Sequence, residues 1–161
     1  MRLHLLLVVG LALSALFGCS SLAADGAPQP LLPRSELVID TPHGPARITV
    51  ELAADSRSQE RGLMFRRSMA ADAGMLFVFR PARTVDFWMK NTILPLDLIF
   101  VRADGTISSI AANAVPYSEA LIPSAEPVRA VLEINGGRAA ALGIAPGERV
   151  RHAIFGDGSA R

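Results

Sequence analysis

The sequence predicts an α+β domain that is predominantly β: a curled or barrel-like mixed sheet of about seven short strands with two short helices. Three observations lead there. Apolar arms of strand length recur along the chain, rich in β-branched and aromatic residues, and Gly, Pro, Asn and Asp clusters punctuate them. Helical signals are confined to two short stretches. Of 161 residues, 50% are hydrophobic, which suits one domain with a real core and argues against disorder.

The beginning of the chain stands apart. Arg2 precedes an apolar run from Leu5 to Phe17, shorter than the roughly 20 residues that a spanning helix needs, so it reads as a secretory signal. "LFGCSS" places Leu16 three residues before Cys19, the only cysteine, with Gly18 next to it. That pattern resembles the lipobox processed in bacterial lipoproteins, although Phe17 departs from it. The alternative is cleavage after Ala23, where "SLA" has the small-x-small form. A lipidated Cys19 also explains a lone cysteine in an exported chain.

The organisation expected is therefore a lipoprotein signal peptide over 1–18, a flexible tether over 19–34, one β-rich globular domain over 35–155 and a tail over 156–161. Pro28, Pro30, Pro33 and Gly26 give the tether its composition. Ser20 after the cysteine points to an outer-membrane lipoprotein facing the periplasm; cleavage after Ala23 would instead give a soluble periplasmic protein. The membrane is thus an expected partner, through a lipid anchor on Cys19.

Within the domain, "ELVIDTPHGPARITVEL" (36–52) reads as a hairpin around a Pro-His-Gly-Pro turn. In "DSRSQERGLMFRR", Ser56 and Gln59 have the spacing of a capping box and predict a short helix that Gly62 interrupts. "GMLFVF" (74–79) is a continuous apolar run, the mark of a strand covered on both faces. Asp104-Gly105 sits between two strand-like arms and predicts a tight hairpin. "PVRAVLEINGG" is a further strand whose Gly pair opens an Ala-rich helix ending at Leu142, and "GIAPGERVRHAIF" supplies a Pro-Gly turn and a last strand.

Six stretches, "RGLMFR", "GMLFVF", "FWMKNT", "PLDLIF", "VLEINGG" and "GIAPGERV", in this order and spacing, resemble the domain of unknown function 192 family over about residues 36–154. The resemblance implies a compact β-rich domain of a kind frequently exported in bacteria. It brings no catalytic residue with it.

Composition excludes several functions. Loss of residues 1–18 removes Arg2 from the 16 basic residues, leaving 15 against 15 acidic ones and a net charge of zero. No basic surplus supports nucleic-acid binding. With one cysteine there is no disulfide or thiolate metal site. Met64, Met69, Met75 and Met89 are close in sequence, but their positions on apolar strands and after a helix assign them to the core, so no metal and no cofactor are expected.

"DFWMKNT" (86–92) is the candidate functional surface. It holds the only tryptophan, Trp88, and the only lysine, Lys90, in a chain with fifteen arginines. If residues 85–90 are extended, Val85, Phe87 and Met89 face the core while Asp86, Trp88 and Lys90 share the other face. An aromatic ring between an anion and a cation suits a planar or sugar-like ligand. Asn91 completes the surface, with Asp97 on the next strand expected beside Lys90, and Glu133, opposite in direction to Leu132 and Ile134, as a further member. The structural alternative is a half-buried Trp88 bracketed by charges, with Lys90 and Asp97 pairing to hold a hairpin's register.

Catalytic readings are weaker. A lysine nucleophile needs desolvation or a neighbouring cation, whereas two aspartates are near Lys90. No GxSxG motif is present, and the histidines of the mature chain, His43 and His152, sit in a turn and near a strand end. The sequence thus points to a cell-envelope protein that binds a ligand, a glycan or a protein partner without catalysing a reaction. The competing expectation is a carbohydrate-acting hydrolase using paired carboxylates among Asp86, Asp97 and Glu133. "AVPYSEALIP" (114–123) is expected as a loop that flaps over the site or meets a partner.

Overall fold

The computed structural model describes residues 26–156; the expected signal peptide, Cys19, the Ala23 cleavage point and the last five residues lie outside them. Strands β1 (Arg34–Thr41) and β2 (Gly44–Ala53) form the first hairpin, and helix α1 (Ser56–Arg61) follows. Next come β3 (Ala73–Arg83), the short β4 (Asp86–Phe87), β5 (Leu96–Val101) and β6 (Ile107–Ala114). The chain continues through β7 (Ile122–Pro123), β8 (Val128–Asn135), helix α2 (Arg138–Leu142) and β9 (Val150–Arg151), then a single 3₁₀ turn over Ala153–Phe155.

Seven strands build one sheet in the order β6-β5-β8-β3-β2-β1-β9, and β4 pairs with β7 apart from it. β2 and β3 run parallel, joined by the connection that carries α1, while the other pairs are antiparallel. The sheet is mixed and curled, as the sequence predicts. Its two outer strands approach each other: Ile107 N–H donates to Glu148 O (2.9 Å), Gly147 N–H to Ile107 O (2.9 Å) and Val150 N–H to Gly105 O (2.8 Å). Curling in this way shields backbone edges that would otherwise invite other strands.

Alternation along each strand sends side chains to two separate cores. One face gathers Leu37, Ile39, Val50, Leu76, Ile99 and Leu132, with Ala139 of α2 against them. The opposite face gathers Met75, Phe77, Leu98, Phe100 and Val131, covered by Leu63, Met89 and the partly buried Phe87. β3, β5 and β8 are therefore apolar on both faces, which is why "GMLFVF" and "LDLIFV" show no polar alternation.

Three local expectations shift. The α1 cap is Asp55, one residue earlier than predicted: its carboxylate accepts from Ser58 N–H (2.9 Å) and the Ser58 hydroxyl reaches back to Asp55 N–H (3.3 Å). Gln59 is thereby released to donate to Ala53 O (3.1 Å) and Val78 O (2.8 Å), fastening the helix to β2 and β3. Residues 85–90 are paired as strand only at Asp86 and Phe87, because Met89 to Thr92 make a turn closed by Thr92 N–H on Met89 O (3.0 Å). The last strand is two residues long.

Residues 27–33, the end of the expected tether, run along the body. Arg61 donates to Ala27 O, Gln29 donates to Ser58 O (3.1 Å) and Gly62 O (2.8 Å), and Leu32 N–H donates to Glu51 (2.9 Å). Glu51 also holds Arg66 in a two-pronged ion pair at 2.6 and 2.8 Å, with both side chains nearly buried. Burial pushes the Glu51 carboxyl up, but the Arg66 hydrogen bond, the Leu32 N–H and the Arg66 charge outweigh it and leave the group below its ordinary range.

Candidate functional site

The second core does not close completely. Between α1, the β3–β4 connection and the turn after β4 lies a cleft of about 560 Å³. Its apolar walls are Leu63, Met64, Phe77, Phe79 and Phe87, with Val85 and Trp88 toward the opening. The Phe87 ring meets Phe77 edge-on at 5.0 Å, and Phe79 and Phe100 at 6.4 and 6.3 Å, so β4 is fixed against β3 and β5 by aromatic packing. Gly62 shapes one wall: its φ is +47° and a side chain there would press on the Phe77 ring at 3.2 Å.

Glu133 lies in this cleft. On β8 it sits in register between Met75 of β3 and Leu98 of β5, on the apolar second face. It is only 4% exposed, and no other described residue offers its carboxyl a hydrogen bond or an ion pair. Desolvation, with no compensating partner, raises its pKa to about 8. A carboxyl in this state is protonated at neutral pH and both donates and accepts hydrogen bonds.

The other predicted residues separate into three groups. Asp86 lines the cleft opening together with Trp88, which is 44% exposed. The alternation expected for this stretch holds, since Met89 is buried and Val85 and Phe87 are partly so, while Asp86 and Trp88 face out. Lys90 is outside the cleft lining: its ammonium lies 5.1 Å from the Trp88 ring centre and 3.9 Å from Glu119, an exposed pair. Asn91 serves the backbone. At φ +55° it turns the chain, and its carbonyl accepts from Phe65 N–H (2.8 Å).

Asp97 is not beside Lys90, as the sequence suggested, and forms no carboxylate pair at the site. It is fully buried under the first core, where Oδ1 accepts from Asn113 N–H (2.8 Å) and Gly137 N–H (3.0 Å) and Oδ2 from Ala139 N–H (2.8 Å). It thereby supplies the cap that Gly137, the residue before α2, cannot provide. The 114–123 segment contributes β7, which pairs with β4, and a turn whose Ser118 O accepts from Met89 N–H (2.8 Å). It braces the Trp88 turn.

Sequence reasoning missed the cleft walls. Phe77, Phe79 and Leu63 read as ordinary core residues because only the tertiary fold leaves a gap beside them. Glu133 did carry a signal, one acid inside the apolar run "AVLEI". His152, in contrast, is a structural residue, with its ring 2.7 Å from the Ser35 hydroxyl.

A curled mixed sheet with an acid-lined cleft beside its second core defines a compact β-rich domain. The chain belongs to the domain of unknown function 192 family, described as "Uncharacterized ACR", whose profile matches residues 38–152. It is similar to a proposed transcription regulator from Sinorhizobium meliloti 1021, with 49% identity, covering 78% of this chain and 98% of that one, at a TM-score of 0.75. It is also similar to a protein of unknown function from Novosphingobium aromaticivorans DSM 12444, with 45% identity, covering 81% of this chain and 94% of that one, again at 0.75. Comparison with curated proteins gives no match.

Proposed function

We propose that this domain binds a small molecule in the cleft beneath Trp88, with Glu133 as the polar contact at its floor. The observation that carries the reading is a nearly buried carboxyl, without a protein partner among the described residues, on the wall of a cleft of mixed polar and apolar lining large enough for a drug-sized ligand. Leaving such a group without a partner works against stability, and sites of function are where folds retain that kind of conflict. A role as a transcription regulator, the proposal attached to the S. meliloti relative, draws no support from a chain with a formal net charge of only +1.

The location proposed is the cell envelope, with Cys19 lipidated, on the strength of the apolar leader and "LFGCSS". Fractionation of Cys19→Ala tests it: release from the membrane fraction supports the anchor, and unchanged retention contradicts it.

A hydrolytic reading retains one observation, that Asp86 and Glu133 line the same cleft and Glu133 is poised to give up a proton near neutral pH. Turnover of aryl glycosides that disappears in Glu133→Gln would favour it over binding alone. The binding reading is tested by a small-molecule screen that follows Trp88 emission, since no other tryptophan contributes. Saturable quenching or a blue shift with at least one chemical class is expected. Hits that bind Glu133→Gln and wild type alike, whatever their polarity, would remove Glu133 from the site.

A further inference from the structure

The charges around the cleft narrow the ligand class, on the premise that the cleft binds a ligand at all. Three carboxyls line it: Glu60 of α1, Asp86 of β4 and Glu133 of β8. None of the three has an ion-pair partner among the described residues. The two cations in the lining are both directed onto aromatic rings, Arg61 onto Phe65 at 4.6 Å and Arg83 onto Phe79 at 5.1 Å. An anionic ligand would lie against the Glu133 carboxyl while both arginines are already engaged on rings. A cation meets the opposite situation, with the Glu133 carboxyl and the aromatic side chains of Phe77 and Phe87 in the same lining.

We propose that the cleft takes a protonated amine carried on an apolar body, with the ammonium on the Glu133 carboxylate and the apolar part against Leu63, Phe77 and Phe87. The pairing would exchange a carboxyl open only to the cleft for a desolvated, hydrogen-bonded ion pair. It also couples binding to a proton. Because free Glu133 is largely protonated below pH 8, the ammonium displaces that proton, and affinity rises with pH until the carboxyl is ionised. The charged groups sharing the cleft with Glu133 are Glu60 and Arg61 from α1, Arg83 from β3 and Asp86 from β4.

The test compares three probes of one shape on the full chain: 2-phenylethylamine, 2-phenylethanol and phenylacetate, titrated calorimetrically in two buffers of different ionisation enthalpy. The amine is expected to bind roughly tenfold or more tighter than the alcohol, with release of close to one proton near pH 6.5, and phenylacetate weakest. Glu133→Gln, checked for an unchanged melting profile at low pH, should bind amine and alcohol alike and release no proton. Alcohol or phenylacetate binding as tightly as the amine in wild type overturns the amine assignment while leaving a ligand-binding cleft. Failure of all three at millimolar concentration counts against the cleft as a binding site and against this inference with it.

Discussion

Asp97 and Glu133 are two buried acids from neighbouring strands, almost opposite each other in register and on opposite faces of the same sheet. Asp97, facing the α2 side, has three backbone N–H donors converging on its carboxylate at 2.8 to 3.0 Å. Glu133, paired across from Leu98, faces the cleft and has none. A buried acid with all its hydrogen bonds met is a piece of architecture, because it organises the backbone that surrounds it. A buried acid left open beside a cavity adds nothing to the fold and is available to something outside it. Burial alone therefore does not distinguish structure from function; the partners do.

The largest effect that separates the two acids is expected from Asp97→Ala. Three buried N–H groups lose their acceptor and α2 loses its cap, and a destabilisation of about 3 kcal/mol should appear in denaturant titration. The comparison breaks if that variant melts like wild type. Glu51→Gln should come next, at roughly 2–3 kcal/mol, since Arg66 is left nearly buried without its carboxylate.

These acids also predict opposite responses to pH. Glu51 has a folded pKa below its unfolded one, so its contribution is present above the unfolded value and is lost as pH falls through the folded value. Glu133 has a folded pKa above its unfolded one, from 4.5 to about 8. Its favourable contribution is complete below 4.5 and is lost as pH rises toward 8, by at most about 1.4 kcal/mol per pH unit. Glu133→Gln should flatten the stability profile on that alkaline side and leave the acid side unchanged. A parallel profile in the variant would mean that Glu133 is not held protonated.

The smallest effect is expected at Lys90, the residue that the sequence singled out. Its partners are an exposed ring and an exposed carboxylate, so Lys90→Arg should change stability by less than about 0.5 kcal/mol and leave binding in the cleft unaltered. A large loss of ligand affinity in that variant would move the site from Glu133 to the Trp88 turn.

Much of the fold was legible because it is encoded locally. Apolar runs, the Pro-His and Asp-Gly turns and the Gly pair before α2 each act within a few residues, and the two-sided burial of β3, β5 and β8 follows from their composition. The site was only half legible. Asp86 and Trp88 could be found by alternation, and Glu133 by being polar in an apolar strand. Their assembly depends on β4 leaving the main sheet to pair with β7, which opens the gap between Phe77 and α1. Asp97 misled for the converse reason: a carboxylate near Lys90 in sequence is drawn to the other side of the sheet by backbone donors from Asn113, Gly137 and Ala139. Such donors are contributed by distant segments and leave no pattern in the residues next to Asp97.

The most direct measurement is the titration of the Glu133 side-chain carboxyl by carbon-13 NMR, assigned through Glu133→Gln, with and without 2-phenylethylamine. A midpoint near 8 is expected in the free domain, far above the ordinary 4.5, with a marked fall when the amine is present. A midpoint near 4.5 in the free domain would contradict it, and so would one that stays near 8 while the amine is bound.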